Sequence, residues 1–257
     1  MIHWHCHDVF HRMPAGATAG GVAVVIDVLR ASTTMITALA HGAAGIVPVA
    51  DVDEARRLAG ELGPRVVLGG ERGGLRIPGF DLGNSPREYT AERVAGQTVV
   101  ITTTNGTAAL HASRDAAEIV VGAIVNRRAV AEAVRRLAGD QGVVHLVCAG
   151  TDGVVSAEDV LAAGAILDAA LCDAPADVLD GSAHAAREAF RRLVGEPDPQ
   201  AAMVAAFRRA PGGANLVALG MEADLPACAK LDTTAVVPRL DRATGWLTEM
   251  VPATESG

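Results

Sequence analysis

With 257 residues, the chain is long enough to bury a core as one large domain or two small ones. Half of it is hydrophobic but only 3% is aromatic, so the interior must be built from Ala, Val, Leu and Ile. Its 22 basic residues against 30 acidic ones give a net charge of −8, which argues against a general nucleic-acid binder and leaves room for a local cationic pocket.

The opening MIHWHCHDVF carries no basic region followed by an apolar stretch, and no apolar run approaches the ~20 residues that cross a bilayer. Four scattered cysteines without a C-x-x-C pair fit reduced thiols, so a soluble, cytoplasmic protein is expected. His3, His5 and His7 alternate and share one face of a strand, with Cys6 and Asp8 alongside. Imidazoles invite a zinc site, but no distant fourth ligand is evident, and a partly exposed edge strand is the plainer account.

The segment VAVVIDVLRASTTMITALAHGA follows, from Val22 to Ala43. It reads as a buried strand (Val22–Asp27), a short polar turn containing Arg30, and a helix (Thr34–Ala40) whose start carries Ser32, Thr33 and Thr34. A helix N-terminus with hydroxyls is a seat for phosphate. An acid at a strand end, Asp27, stands where open α/β sheets bind ligands and is a possible metal ligand.

Strand Gly45–Val49, helix Asp53–Leu62 and strand Val66–Leu68 lead to the loop GGERGGLRIPGFDLGNSPREYT. Ser85-Pro86-Arg87-Glu88 matches a capping box with proline at the first helical position. Glu71, Arg72 and Asp81 have no such local explanation and are candidates for function, since an arginine fork holds anions in two-point contact.

VVITTTNGTAAL repeats the strand-to-helix theme: Thr98–Thr102 ends in a turn of Thr103, Thr104, Asn105, Gly106 and Thr107 before a helix over Ala108–Ala112. Adjacent N–H groups in such a turn converge on an anion, although helix capping explains either turn alone. Together the two turns suggest one shared site.

Strand Ile119–Val121, helix Ala129–Ala138 and strand Val143–Cys148 precede a Gly-rich loop and the helix Ala157–Leu171. Ser156 and Asp159 have capping spacing, and of the adjacent Glu158 and Asp159 one is assigned to a metal or solvent-mediated role. Cys148 is a conceivable nucleophile without a legible base. Beyond Leu171, Gly181–Leu193 and Pro199–Arg209 read as helices, Pro211–Ala214 as a loop, Ala235–Val237 as a strand and the tail after Pro252 as disordered. The alternation predicts an α/β fold, layered α/β/α around a largely parallel or mixed sheet. It forms a single unit over 1–257 or is bilobed, with a second lobe over about 172–257.

The blocks VIDVLRASTT, GERGGLRIPGFDLGNSP, TTTNGTAAL, VCAGTDGVVSAEDVLAAGAI and DLPACAKLDTTAVVP together resemble the 2-phosphosulfolactate phosphatase family. The resemblance implies Mg²⁺-dependent removal of phosphate from 2-phospho-3-sulfolactate, a step towards coenzyme M in methanogens. Within these blocks, Asp27, Arg30 and Arg72 are the candidate catalytic groups, and Ser32, Thr33, Thr34, Thr104, Asn105, Gly106 and Thr107 the candidate phosphate-binding groups. Oxygen-rich Asp27, Glu71 and Asp81 or Asp159 suit Mg²⁺. A small phosphorylated sulfonate or carboxylate is the expected partner, with no nucleic acid and no membrane, and a homodimer is conceivable. The alternatives are a phosphatase of another hydroxy acid, a non-catalytic anion binder, and a hydrolase using Cys148.

Overall fold

Residues 22–26 read VAVVI, and a strand with no polar position needs cover on both faces. The structure is a computed structural model describing residues 1–172 and 177–250, and it places this strand, β2 (Val22–Ile26), well inside the sheet. Val22, Val24 and Ile26 enter one core while Ala23 and Val25 enter the other. β2 lies parallel between β7 (Glu118–Gly122) and β8 (Val143–Cys148). Beyond β8 come β1 (His3–His7) and the two-residue β9 (Val178–Leu179), also parallel.

The other half holds β3 (Gly45–Pro48), β6 (Thr98–Thr102) and β4 (Val66–Arg72) in parallel, edged by the antiparallel β5 (Leu75–Arg76). A hairpin of β10 (Pro238–Asp241) and β11 (Trp246–Glu249) joins the halves. It pairs antiparallel through Arg239 opposite Val120 and Leu247 opposite Ile46. The mixed sheet has 11 strands, ordered β5-β4-β6-β3-β11-β10-β7-β2-β8-β1-β9.

Helices α1 (Ala31–Ala40) and α4 (Gly106–Ala112) cover one face, with α3 (Ala91–Val94) beside them. α5 (Arg127–Ala138), α6 (Ala157–Ala170), α7 (Gly181–Val194) and α8 (Pro199–Arg209) cover the other. The layers are therefore α/β/α. α6 and α7 approach closely at Gly164, where a methyl group would lie 2.1 Å from the Ala186 carbonyl oxygen. Aspartate caps start α2 (Val52–Leu62), α7 and α8: Asp51, Asp180 and Asp198 accept from the N–H groups of Glu54, Ala183 and Ala201.

Four local expectations differ from what forms. Ala235–Val237 is not a strand; the chain pairs just after it, in the hairpin, whose short charged strands leave no apolar run to read. Pro211–Ala214 opens α9 (Pro211–Ala218), because proline is at home in a first helical turn. Ser85 to Glu88 makes only one 3₁₀ turn without a side-chain cap; Ser85 Oγ donates to Asp224 instead, and Glu88 accepts from the Gly83 N–H. The histidine strand β1 is not at the edge, since β9 pairs outside it. The tail after Pro252 lies outside the described residues. No helix among the described residues is long and apolar enough to cross a membrane.

Candidate active site

Parallel strands leave their C-terminal ends free to build a crevice, and here β2, β4, β6 and β8 do so. A cavity of about 140 Å³ opens there, lined by Asp27, Arg30, Glu71, Thr104, Asn105 and Asp152, among others. Asn84 closes it from the loop after β5, and Gly212, Asn215 and Leu216 close it from α9. That volume suits an acid of a few carbons and excludes a polymer.

Asp27 follows β2 directly and is only 8% exposed. Its Oδ1 accepts from the Ala31 N–H at the start of α1, 3.2 Å away. The Gly106 N–H at the start of α4 also supports its charge. Gly106 has to be glycine: a Cβ there would stand 2.8 Å from Asp27 Oδ2 and 2.6 Å from Ala31 Cβ. The protein's own carboxylate thus occupies the seat at the two helix N-termini that the sequence suggested for phosphate. Burial nevertheless pushes the Asp27 carboxyl up to about 7, reinforced by the charge of Glu71 and opposed by the Ala31 and Gly106 hydrogen bonds and Arg30.

Three more acids gather around it. Glu71 accepts from the N–H groups of Gly74 (2.7 Å) and Thr104 (2.8 Å), so both its oxygens are engaged. Asp159 accepts from Val28 N–H (2.8 Å) and Gly150 N–H (2.9 Å), tying the ends of β2 and β8 together. Burial holds the Asp159 carboxyl well above its ordinary range, with the charges of Glu158 and Asp27 adding to the effect. Glu158 is 2% exposed, its Oε2 has no hydrogen-bond partner, and burial raises it to about 7. Gly212 accommodates it; a Cβ there would lie 2.2 Å from Glu158 Oε1.

Arg30 is the buried cation of the site, 3% exposed, and the Leu29–Arg30 peptide bond is cis. Its Nη1 donates to Asp224 Oδ2 (2.8 Å) and its Nη2 to the Gly74 carbonyl oxygen (2.7 Å). Asp224, in α10 (Asp224–Cys228), also accepts from Ser85 Oγ at 2.6 Å. One carboxylate therefore braces both the arginine and the loop that carries Asn84.

The structure thus brings together Asp27, Arg30, Glu71, Thr104, Asn105 and Gly106, with Asp159 immediately behind. It places the other sequence candidates elsewhere. Ser32 Oγ bonds Val25 O and Asp27 N, Thr33 Oγ1 bonds Val28 O, and Thr34 Oγ1 bonds Asn84 O. These hydroxyls lock the turn, and none lines the cavity. Thr107 Oγ1 donates to Thr103 O, and Thr107 faces a different cavity of about 810 Å³ beside α4 that contains none of the clustered acids. Arg72 is exposed and holds Thr102 Oγ1 and the Glu71 carbonyl. Asp81 is exposed and caps the Leu68 N–H at 2.8 Å.

Ser156 makes no cap hydrogen bond, so the expected cap between it and Asp159 is absent; its hydroxyl pairs with Thr151 Oγ1. Cys148 is fully buried against Cys6, and both that contact and desolvation push its thiol far up, which deprives it of thiolate character. His5 and His7 stack on His145 of β8, with ring centroids 5.3 and 5.4 Å apart. No three His, Cys, Asp or Glu side chains among the described residues are placed together to hold a metal ion.

Asp224, Asn215 and Gly212 belong to the site without having been singled out for it in the sequence, and of the adjacent acids Glu158 and Asp159 it is Glu158 that keeps an oxygen without a partner. The diglycine in Pro211-Gly212-Gly213-Ala214 was the available signal, because adjacent glycines at a helix start mark a close approach. A model of the 2-phosphosulpholactate phosphatase family matches residues 9–243. Three relatives each carry the name probable 2-phosphosulfolactate phosphatase. That of Deinococcus radiodurans is 45% identical, covering 85% of this chain and 87% of its own. Those of Symbiobacterium thermophilum (43%; 88% and 93%) and Synechococcus sp. strain RCC307 (40%; 94% and 96%) are similar over comparable lengths.

Proposed function

We propose that this chain, which belongs to the 2-phosphosulpholactate phosphatase family, hydrolyses 2-phospho-3-sulfolactate to 3-sulfolactate and phosphate with the help of Mg²⁺. The observation that carries this reading is the group of buried acids behind a small crevice that Asp27 lines, with one oxygen of Glu158 lacking any partner. A buried carboxylate oxygen without a donor is costly in the free protein and suits a hard divalent cation. Mg²⁺ keeps several waters and takes only one or two protein carboxylates. Asp27, which lines the cavity, and Glu158, with its bare Oε2, are the residues that would hold it.

In the reaction, water attacks phosphorus, the bond to the C2 oxygen breaks, and that oxygen takes up a proton. When bound, the metal neutralises phosphoryl charge and orients water. Arg30 faces the cavity with its guanidinium fixed by Asp224 and Gly74, so it offers positive charge without reorganisation. The turn of Thr104 and Asn105, tethered to Glu71 through the Thr104 N–H, brings the Asn105 residue to the same crevice. Attack by water, rather than by Asp27, is the proposed route; trapping phosphate on Asp27 during turnover would overturn it.

The test is phosphate release from a panel of phosphorylated three-carbon acids, with and without sulfonate, in Mg²⁺ and in excess chelator. The proposal expects 2-phospho-3-sulfolactate to be the best substrate and the chelator to stop its turnover. Preference for a substrate without sulfonate would assign the chain to another hydroxy acid, and full activity in chelator would remove the metal.

A further inference from the structure

A second cavity, of about 810 Å³, lies between α4 and the tip of the β10–β11 hairpin. That is within the ~300–1,000 Å³ of small-molecule sites. Thr104 is the one lining residue it shares with the crevice, so the two are separate. Its apolar lining comes from four parts of the sheet layer and its cover: Val49 after β3, Leu110 of α4, Ile119 of β7 and Leu240 of β10. The hairpin tip is fastened by its own hydrogen bonds. The Ala243 N–H donates to Asp241 Oδ1 at 2.8 Å, and the Trp246 N–H to Thr244 Oγ1 at 3.3 Å. The concavity is therefore built into the backbone.

Its polar groups are mostly donors left unused. Arg114, just past α4, and Arg242, on the hairpin tip, both line the cavity and are exposed. Neither side chain makes an ion pair or hydrogen bond among the described residues. Exposed arginines elsewhere do find acids: Arg57 has Glu61, Arg208 has Glu222 and Arg239 has Glu118. Glu54 is the carboxylate among the lining residues, and it turns to the backbone, accepting from the Ala50 N–H at 3.2 Å. Thr103 also lines the cavity and is 3% exposed. Its hydroxyl oxygen accepts from the Thr107 N–H at 3.2 Å, while its proton has no acceptor among the described residues. A hydroxyl donates as well as accepts, so this buried group has one bond left to give.

An inorganic anion would leave the apolar lining wet, and a neutral hydrocarbon would leave the guanidiniums without a counter-charge. One class of ligand answers both, an apolar body that carries an anionic group. We propose that this cavity is a second ligand site, separate from the crevice, that takes an aromatic or alicyclic acid with its carboxylate, sulfonate or phosphate at the arginine rim. The site stands whatever reaction the crevice performs, because it uses none of the clustered acids.

The experiment is fluorescence titration of the full chain with two probes. One is 8-anilinonaphthalene-1-sulfonate; the other is N-phenyl-1-naphthylamine, the same rings without the charge. Wild type should bind the sulfonate saturably. Replacing both arginines, Arg114→Gln with Arg242→Gln, should weaken the sulfonate about fivefold or more, the scale of two exposed ion pairs, and leave the uncharged amine within about twofold. Arg136→Gln, the same charge change on α5, should leave both probes within about twofold of wild type. Ala108→Phe fills the cavity from α4 and should weaken both probes about tenfold or more. The arginine variants keep the test open if the phenylalanine variant fails to fold. No saturable binding by wild type, an equal loss in Arg136→Gln, or unchanged binding in a folded Ala108→Phe overturns the site.

Discussion

Two buried carboxylate sites in this molecule are built on opposite plans. Asp177, between β1 and α5, accepts from the Ile2 N–H, the Trp4 indole N–H and the Arg135 guanidinium. Burial alone would raise its carboxyl, but these donors outweigh it and hold the group below its ordinary range. At the strand ends, Asp27, Glu158 and Asp159 are crowded together and burial wins: all three carboxyls are raised. The acid that fastens the fold has donors that outweigh its burial; the strand-end acids are packed beside one another, and Glu158 keeps one oxygen bare.

The largest expected effect tests the second plan. Asp27→Asn should lower kcat by about 10³-fold or more while circular dichroism and thermal midpoint stay near wild type, because the amide still fits between α1 and α4. Retained activity in that variant removes Asp27 from the mechanism. Gly212→Ala comes next. Its methyl group would displace Glu158 Oε1, and a shift of that kind should cost about 10- to 100-fold in kcat/KM; a variant with unaltered kinetics would mean that the position of Glu158 is immaterial.

Asp177→Ala should do the reverse. Removing a carboxylate whose side chain is 4% exposed leaves three donors unpaired, at about 2–4 kcal/mol of stability by denaturant titration, with kcat unchanged. A loss of turnover without a loss of stability would erase the contrast between the sites. The last effect is in pH. Asp27 and Glu158 are raised from 3.8 and 4.5 to about 7, so in metal-free protein their contribution to stability is complete below pH 4, declines as pH rises and is gone above about 7. Stability of wild type relative to Asp27→Asn should therefore fall between pH 4.5 and 7 and then level off, with Mg²⁺ abolishing the decline. A difference that rises with pH over that window would show the acids to be charged and paired already.

Much of this architecture can be read from the sequence. The strand VAVVI announces its two-sided burial, and Pro199–Arg209 is bounded by an aspartate cap and proline at its start. The central hairpin cannot be read that way, because Pro238–Asp241 and Trp246–Glu249 take their place through partners distant in sequence, β7 and β3. In the candidate site, Asp27 and Glu71 are legible as acids without local duties, whereas Ser32, Thr33 and Thr34 mislead. A hydroxyl at a helix start serves a ligand and a backbone carbonyl equally well in sequence, and only tertiary packing shows that all three face inward. For Glu158 and Asp159 the sequence leaves open which acid is spare, because the bare oxygen of Glu158 is a property of packing alone.

The central claim is that a divalent cation binds between Asp27 and the bare oxygen of Glu158. Titrating Mg²⁺ into metal-free protein at pH 7.5, with thermal midpoint and heat of binding followed for wild type, Asp27→Asn, Glu158→Gln and Asp177→Asn, examines it directly. Saturable binding that raises the midpoint in wild type and Asp177→Asn and disappears in the other two is the predicted result. Binding of equal strength in all four proteins, or none in wild type, would contradict it.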